Sequence, residues 1–379
     1  MSAMVFTNAR IVLAGEVVDG TLIVRDGVIA EVTAGRAAAP SEDFEGDYLL
    51  PGLVELHTDH LENHYHPRPG VSWPAIPAVM AHDAQIAAAG ITTVFDAVRA
   101  GTFDPGDLSA QHAMTLATAV AEAQRLGQLR AEHFIHLRCE LPCPDTAESA
   151  RMTAAAGPLH IISIMDHTPG ARQFVSIGKF KEYYLGKKLV LPEQIDGYIA
   201  ERRDFQSRYA AANKQAILEL ARAANVKVAS HDDATVAHVE EAIADGVSIA
   251  EFPTTQEAAA AAHRNGLAVL MGAPNVVRGK SHSGNISAAD VAASGHLDVL
   301  SSDYVPSSLL PAVFRLAADV PGMALADAVR LITFNPARAA GLDDRGVIAP
   351  GKRADLLQVR IVDGIPVVRR VWREGRRVM

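Results

Sequence analysis

Residues 223–231 read AANVKVASH: the end of an Ala-rich, helix-like stretch, an Asn, a short Val-containing run and a terminal histidine. Asn and Gly suit the left-handed residue that closes a helix, and the short apolar run has the length of a buried parallel strand. The same passage recurs as AAAGITTVFDA (87–97), ADGVSIAEFPT (244–254), RNGLAVLMGAPN (264–275) and SGHLDVLSSD (294–303). Repeated helix-to-strand units of this kind predict a parallel sheet. Adding LVELHTD (53–59), FIHLRCE (134–140) and LHIISIMDH (159–167) brings the candidate strands to eight, the number that closes a (β/α)8 barrel. A closed barrel is preferred to an open doubly wound sheet because nearly every strand ends in a polar or ionisable residue: Asp59, Glu140, His167, His231, Asp303. This fold carries its active site at the C-terminal ends of its strands.

The two chain ends have another texture. FTNARIVLAGEVVDGTLIVRDGVIAEV near the start and ADLLQVRIVDGIPVVRRVWREGRRVM at the end are alternating, Val/Ile-rich runs broken by DG, EG and AG, as antiparallel hairpins require. The expected organisation is a small β-sandwich shared by residues 1–50 and 345–379, with the barrel over 51–344. Within the barrel, the segment from about 171 to 214 is aromatic and basic before the pattern turns helical; the first part reads as an extended βα loop, and long loops of this fold are commonly functional.

Composition narrows the function. With 379 residues, 49% of them hydrophobic, the chain can bury a substantial core. A net charge of −9 argues against general affinity for nucleic acid or anionic membrane, which need an excess of Lys and Arg on the binding face. An anionic substrate must meet a local basic cluster instead. No basic segment followed by a long apolar run opens the chain, and no stretch is apolar enough to span a bilayer, so the cytoplasm is the expected compartment. The two cysteines, Cys139 and Cys143, lack the second pair of ligands that a zinc ribbon requires and read as ordinary thiols.

Along a strand, residues i and i+2 share a face, so Glu55, His57 and Asp59 point the same way, with His57 and Asp59 nearest the strand's end. His60 has the opposite parity, and His64 and His66 lie beyond the strand; with Glu62 and Arg68 they belong to the first βα loop. His136, Arg138 and Glu140 share a face of their own strand. His167 and His231 each follow an apolar run, and Asp303 ends VLSSD. A single histidine at such a place is usually a satisfied polar group at a core edge. Several ionisable residues converging on one rim need charge compensation, which a metal supplies. His57, Asp59, Glu140, His167, His231 and Asp303 form a mixed N/O donor set suited to Zn²⁺, Mn²⁺ or Fe²⁺ and able to hold two ions. Glu251 and His282 stand in reserve. Glu55 and Arg138, both inward-facing, are expected in an ionic network beneath the metals, with His136.

PGLVELHTD (51–59) and GVIAPGKRADLLQV (346–359) resemble the amidohydrolase superfamily, which combines a metal-bearing (β/α)8 barrel with a β-sandwich built from both chain ends. Within it the chain is most similar to the ribosyl triphosphate diphosphatases of the carbon–phosphorus lyase pathway for phosphonate use. HTDHLENHYHPRPGVSWP, HLRCELP, MDHTPGARQF, ASHDDAT, LMGAPNVVRGKSHSGN and LSSDYVPSSLL carry that similarity. Most of the superfamily has His-x-His on the first strand, whereas this chain has His57-Thr58-Asp59, as does this family. The superfamily's usual plan puts a bridging Lys or Glu on strand three or four and histidines on five and six. Glu140, His167 and His231, on three, four and five, depart from it.

The resemblance implies hydrolysis of α-D-ribose 1-methylphosphonate 5-triphosphate to the 5-phosphate and pyrophosphate, with Asp303 orienting the attacking water and taking its proton. NVVRGKSHSGN (275–285) offers Arg278, Lys280, Ser281, His282, Ser283 and Asn285 for phosphates, and loops after strands seven and eight commonly bind phosphate in this fold. Arg68, Arg172 and Lys187 are further candidates for anionic groups, and Trp73, Tyr183 and Tyr184 could stack on a sugar. The expected partners are the small ribosyl triphosphate and further copies of the chain. Two alternatives remain on the same residues: a deacetylase or cyclic-amide hydrolase, using the metals on a carbonyl, and a non-catalytic scaffold barrel.

Overall fold

The computed structural model describes residues 3–37, 40–103, 110–174, 176–186, 189–279 and 285–379. Strands β1 (Ala3–Val12), β2 (Val17–Arg25), β3 (Val28–Ala34), β4 (Glu42–Asp43) and β5 (Tyr48–Pro51) come first. The strands β6 (Leu53–Thr58), β7 (Ile91–Ala100), β8 (Glu132–Glu140), β9 (Leu159–Met165), β10 (Lys227–His231), β11 (Ile249–Glu251), β12 (Ala268–Gly272) and β13 (Val299–Ser301) follow, and β14 (Leu356–Val362), β15 (Ile365–Arg373) and β16 (Arg376–Arg377) end the chain. Helices α1 (His60–Tyr65), α2 (Ala75–Ala88), α3 (Ala110–Arg125), α4 (Thr146–Ala156), α5 (Ile177–Gly186), α6 (Ile195–Ala224), α7 (Val236–Ala244), α8 (Gln256–Arg264) and α9 (Ala273–Arg278) lie between the central strands. No helix among the described residues is long and apolar enough to cross a membrane.

Strands β6 to β13 are ordered in space as in sequence, in one eight-stranded sheet. The last returns to the first: Thr58 and Asp303 form a parallel bridge, Asp303 N donates to His57 O at 3.1 Å, and Thr58 Oγ1 donates to Asp303 O at 3.0 Å. The result is a (β/α)8 barrel. All eight strands read from the sequence are present. The helix-closing signals hold as well, since Asn225, Gly90, Gly246, Gly266 and Gly295 all have positive φ.

The chain ends form a second, mixed sheet in the order β16-β15-β14-β5-β1-β2-β3, with β4 on β1. Its apolar face buries Phe6, Phe44 and Trp372, whose rings meet at centroid distances of 4.9 to 5.9 Å.

By compactness the chain divides into two units, Met1–Asp96, Glu122–Phe134 and Met271–Met379 in the first, and Ala97–Ala121 and Ile135–Leu270 in the second. In the first unit the KRAD motif serves to anchor: Arg353 Nη1 and Arg345 Nη1 donate to Glu132 Oε2 at 2.5 and 2.6 Å, while Arg353 Nε donates to Asp355 at 2.9 Å. The Pro51-Gly52 step into β6 passes so close to its neighbours that a Cβ on Gly52 would stand 2.2 Å from Thr92 Oγ1 and 2.9 Å from Asp355 Cβ. Only glycine fits there.

In the second unit the aromatic, basic segment after β9 is not an open loop. It contains α5 and the start of the 30-residue α6. Phe180, Ile195 and Ile199 form a small core there with Tyr184 and Tyr198 packed against it. The helix arises because the apolar residues Ile177, Phe180 and Tyr184 recur at the three-to-four-residue spacing of one helix face.

Candidate active site

In the first unit, β6 carries Glu55 and His57 on one face as parity requires, 0% and 1% exposed. Asp59 follows at the start of α1 and is half-buried. Glu55 does not take the ionic partners expected of it. Its two oxygens accept from the backbone amides of His57 at 2.7 Å and Ser302 at 2.5 Å. Burial, opposed by these bonds, raises its carboxyl to about 7. Arg138, on β8, is half-buried. Glu55 thus ties the first barrel strand to the residue before Asp303. Asp303 has φ +53°, a conformation that costs about 1–3 kcal/mol in a non-glycine residue and clusters at functional sites.

The second unit gathers a chain of acids and imidazoles at the ends of β8, β9, β10 and β11. Glu140 accepts from His167 N at 2.9 Å and pairs with His167 Nδ1 at 2.5 Å. His167 Nε2 and His231 Nε2 both lie 3.6 Å from Asp232 Oδ2. His231 Nδ1 lies 3.2 Å from Glu251 Oε2, which also accepts from Ser163 Oγ at 2.5 Å. His136 Nε2 lies 2.5 Å from that same Ser163 Oγ. Carboxylates behind imidazoles fix the ring and its tautomer, the arrangement found behind metal-ligating histidines.

Burial disfavours a cation at His167, yet the charges of Glu140 and Asp232 and the hydrogen bond to Glu140 outweigh it and raise the imidazole to about 10. Burial likewise opposes ionisation of Glu140, but His167 and Arg99 bring it down to about 2. Three carboxylates, Glu140, Asp232 and Glu251, converge on the imidazoles of His167 and His231, with Arg99 3.9 Å from Glu140. A divalent cation fits this donor set: ligand atoms of His167, His231 and Asp232 lie within 4.8 Å of one another, and Asp232 Oδ2 is buried without a hydrogen bond among the described residues.

A backbone feature delivers Asp232. Alternation would send it away from His231, but its φ of +58° turns the chain so that its carboxylate comes back beside the imidazole. Sequence reading passed over this residue, although the HDD run that contains it was on the page. It also held Glu251 only in reserve, and missed Arg99, two residues beyond the AAAGITTVFDA stretch, and Arg202 on α6.

The phosphate candidates divide. Arg172, with Nη1 on Asp233 and Nη2 3.2 Å from Glu241, is already neutralised. Since Asp233 also accepts from Ser230 Oγ at 2.6 Å, Arg172 braces the turn after His231. Arg68 and Arg278 are exposed, and Asn285 is half-buried. Lys280, Ser281, His282 and Ser283, with Lys187 and the Tyr183 side chain, lie outside the described residues. His60 and His64 sit on α1, 3.0 and 3.1 Å from Gln85 Oε1, and Trp73 is exposed. Cys139 and Cys143 are free, buried thiols whose burial raises them well above the usual range.

A second imidazole–carboxylate cluster lies in the first unit. His82 Nε2 and His133 Nδ1 hold the two oxygens of Asp96 at 2.8 and 2.7 Å, and His133 Nε2 lies 3.3 Å from Asp83. Asp83 in turn takes the amides of Arg130 and Ala131 at 2.8 and 2.9 Å and Arg130 Nη1 at 3.0 Å. Burial keeps His82 low. Burial also opposes a charge on His133, but Asp96 and Asp83 raise it to about 9. Asp96, against its own burial, is brought to about 2 by His133 and His82.

Residues 192–378 match the amidohydrolase family. Along 99% of its length the chain is 47% identical to the whole of the α-D-ribose 1-methylphosphonate 5-triphosphate diphosphatase of Escherichia coli (strain K12). Among solved structures, a 5-methylcytosine deaminase from Klebsiella pneumoniae superposes with a TM-score of 0.67 at 15% identity, covering 99% of this chain and 98% of that one. An N-acetyl-D-glucosamine-6-phosphate deacetylase from Mycobacterium smegmatis gives 0.65 at 18% identity, covering 100% of both; these two likenesses speak for the fold. The chain belongs to the amidohydrolase family, in the branch of the diphosphatase that it matches from end to end.

Proposed function

We propose that the chain hydrolyses α-D-ribose 1-methylphosphonate 5-triphosphate to the 5-phosphate and pyrophosphate. The 47% identity along the whole of the Escherichia coli diphosphatase carries this reading. Amidohydrolases generally use divalent metals. His57, Asp59, Glu140, His167, His231 and Asp303 would hold one or two such ions, Zn²⁺, Mn²⁺ or Fe²⁺, with Asp232 as a further donor. A divalent ion there supplies a Lewis acid for a phosphoryl oxygen and lowers the pKa of water.

The chain's own groups do the rest. Asp303 orients the attacking water and takes its proton as the new P–O bond forms and the bridging P–O–P bond breaks. Its backbone is pinned from both sides by His57 O and Thr58 Oγ1. Glu140 and Glu251 keep the rings of His167 and His231 in one tautomer. The departing pyrophosphate is steadied by Arg278, Asn285, Lys280, Ser281, His282 and Ser283, with Arg68 as a further cation. Arg172 braces Asp233 and is withdrawn from the substrate contacts.

The test is Asp303→Asn, with bound metal and pyrophosphate release measured separately. Metal is expected to remain while turnover falls by roughly 10²–10⁴-fold. A wild-type holoenzyme that releases no pyrophosphate from the ribosyl triphosphate, yet hydrolyses amides, overturns the reading.

A further inference from the structure

A cavity of about 270 Å³ in the second unit is lined by Glu140 and His167 together with Arg99, Phe103, Tyr184 and Arg202. Phe180, Tyr198, Thr102 and Pro169 complete its wall. It therefore opens directly onto two of the proposed metal ligands. Its remaining walls are unusual for a place that must admit a phosphorylated sugar, because four aromatic rings face only two guanidinium groups.

The two guanidinium groups are not equivalent. Arg99 lies 3.9 Å from Glu140 Oε2, so its charge is partly taken up. Arg202 has no carboxylate partner among the described residues. Its guanidinium carbon lies 3.8 Å from the Phe103 ring centroid and 4.5 Å from that of Tyr198, so aromatic rings hold it by its face. Nε and Nη1 are buried and meet no hydrogen-bond acceptor among the described residues. Buried donors of this kind are costly unless a partner arrives. One unsatisfied cation inside an aromatic wall suits a ligand with a single negative charge and an apolar substituent. It does not suit a pyrophosphate, whose several charges would need several cations.

We propose that this cavity binds the 1-methylphosphonate end of the substrate, the charged oxygens on Arg202 and the methyl group and sugar face against Phe103, Tyr184 and Tyr198. The proposal rests on the substrate reading above. It assigns Arg202 and the aromatic wall to specificity; of these residues the sequence had pointed only to Tyr184, as a ring that could stack on a sugar. The helices supply both parts: α5 brings Phe180 and Tyr184, which stack at 4.0 Å, and α6 brings Tyr198 and Arg202 four residues apart on one face.

The experiment is calorimetric titration of the holoenzyme with three probes that carry no triphosphate and are not turned over: α-D-ribose 1-methylphosphonate, α-D-ribose 1-phosphate and pyrophosphate. The unaltered protein is expected to bind the methylphosphonate more tightly than the 1-phosphate, which has no methyl group and more charge. In Arg202→Met the methylphosphonate is expected to weaken by about tenfold or more, while pyrophosphate binding stays unchanged. Equal or tighter binding of the 1-phosphate by the unaltered protein overturns the proposal without any variant. So does an Arg202→Met protein that loses pyrophosphate affinity instead. Because these are binding measurements, a holoenzyme that releases pyrophosphate but fails them refutes this assignment and leaves the substrate reading standing.

Discussion

The two imidazole–carboxylate clusters use the same side chains to opposite ends. His82, Asp83, Asp96 and His133 are each 0% exposed, and their charges alternate and cancel, with anionic Asp96 and Asp83 on either side of cationic His133 and with Arg130 closing the chain. In Glu140, His167, Asp232, His231 and Glu251 three carboxylates meet two imidazoles and the guanidinium of Arg99, 3.9 Å from Glu140, His167 is 25% exposed, and a cavity reaches the group. Donor spacing alone makes both resemble metal sites. Charge balance and access separate them: the first has no deficit for a cation to fill and no path for water or substrate, whereas the second has both.

The largest effect that would break this contrast is on turnover. His231→Ala is expected to reduce pyrophosphate release by about a thousandfold or more and to lower bound metal, with little change in the stability of the metal-free protein. Elemental analysis, steady-state kinetics and urea unfolding of one preparation check all three. If turnover survives, the second cluster is not the site.

Asp96→Asn should do the reverse. It leaves His133 half-paired in a fully buried place, and loss of one partner of such a pair costs about 3–5 kcal/mol. Denaturant unfolding should show that loss while bound metal and KM of the folded fraction stay at their wild-type values. A drop in metal content here would erase the distinction between the clusters.

The pH dependence of stability sharpens it further. His133 is raised from its ordinary value to about 9, so its contribution is fully present below about 6.5 and is lost as pH rises through about 9. The amount is on the order of 3 kcal/mol. Asp96, held at about 2, contributes above its ordinary value near 4 and loses that contribution only as pH falls through about 2. Urea unfolding at pH 6 and pH 10 should show the alkaline loss in the wild type and a much smaller one in Asp96→Asn.

The smallest expected effect is at Glu251→Gln. The side chain keeps its shape but no longer holds His231 as a charged acceptor, which should weaken metal binding by roughly 10–100-fold. Competition with a chelator measures it. A change confined to protein stability would move Glu251 into the structural class with Asp96.

Much of the molecule was legible in its residues because the relevant signals are local. Helix-closing Asn225 and Gly90, followed at once by apolar runs, located strands without any knowledge of their neighbours. Alternation placed Glu55 and His57 inward, and the ionisable residues at strand ends pointed to the active rim. The hairpin texture of both chain ends gave the second sheet. What parity could not supply is the direction of a side chain where the strand stops being regular. Asp232 joins its histidine only because φ turns positive there, and Asp303 lies in the same kind of turn. Nor could residue type tell that Arg172 is neutralised by Asp233 and Glu241 while Arg202 has no such partner among the described residues.

By itself, then, the sequence determined the order of strands and helices, the barrel and the rim on which the chemistry sits, because hydrophobic periodicity and turn residues act over a few positions. Only the tertiary structure decided which imidazole–carboxylate group is sealed and which is open, and which arginine still has donors to offer. Burial and charge compensation depend on residues far apart in the chain, and no local pattern encodes their sum.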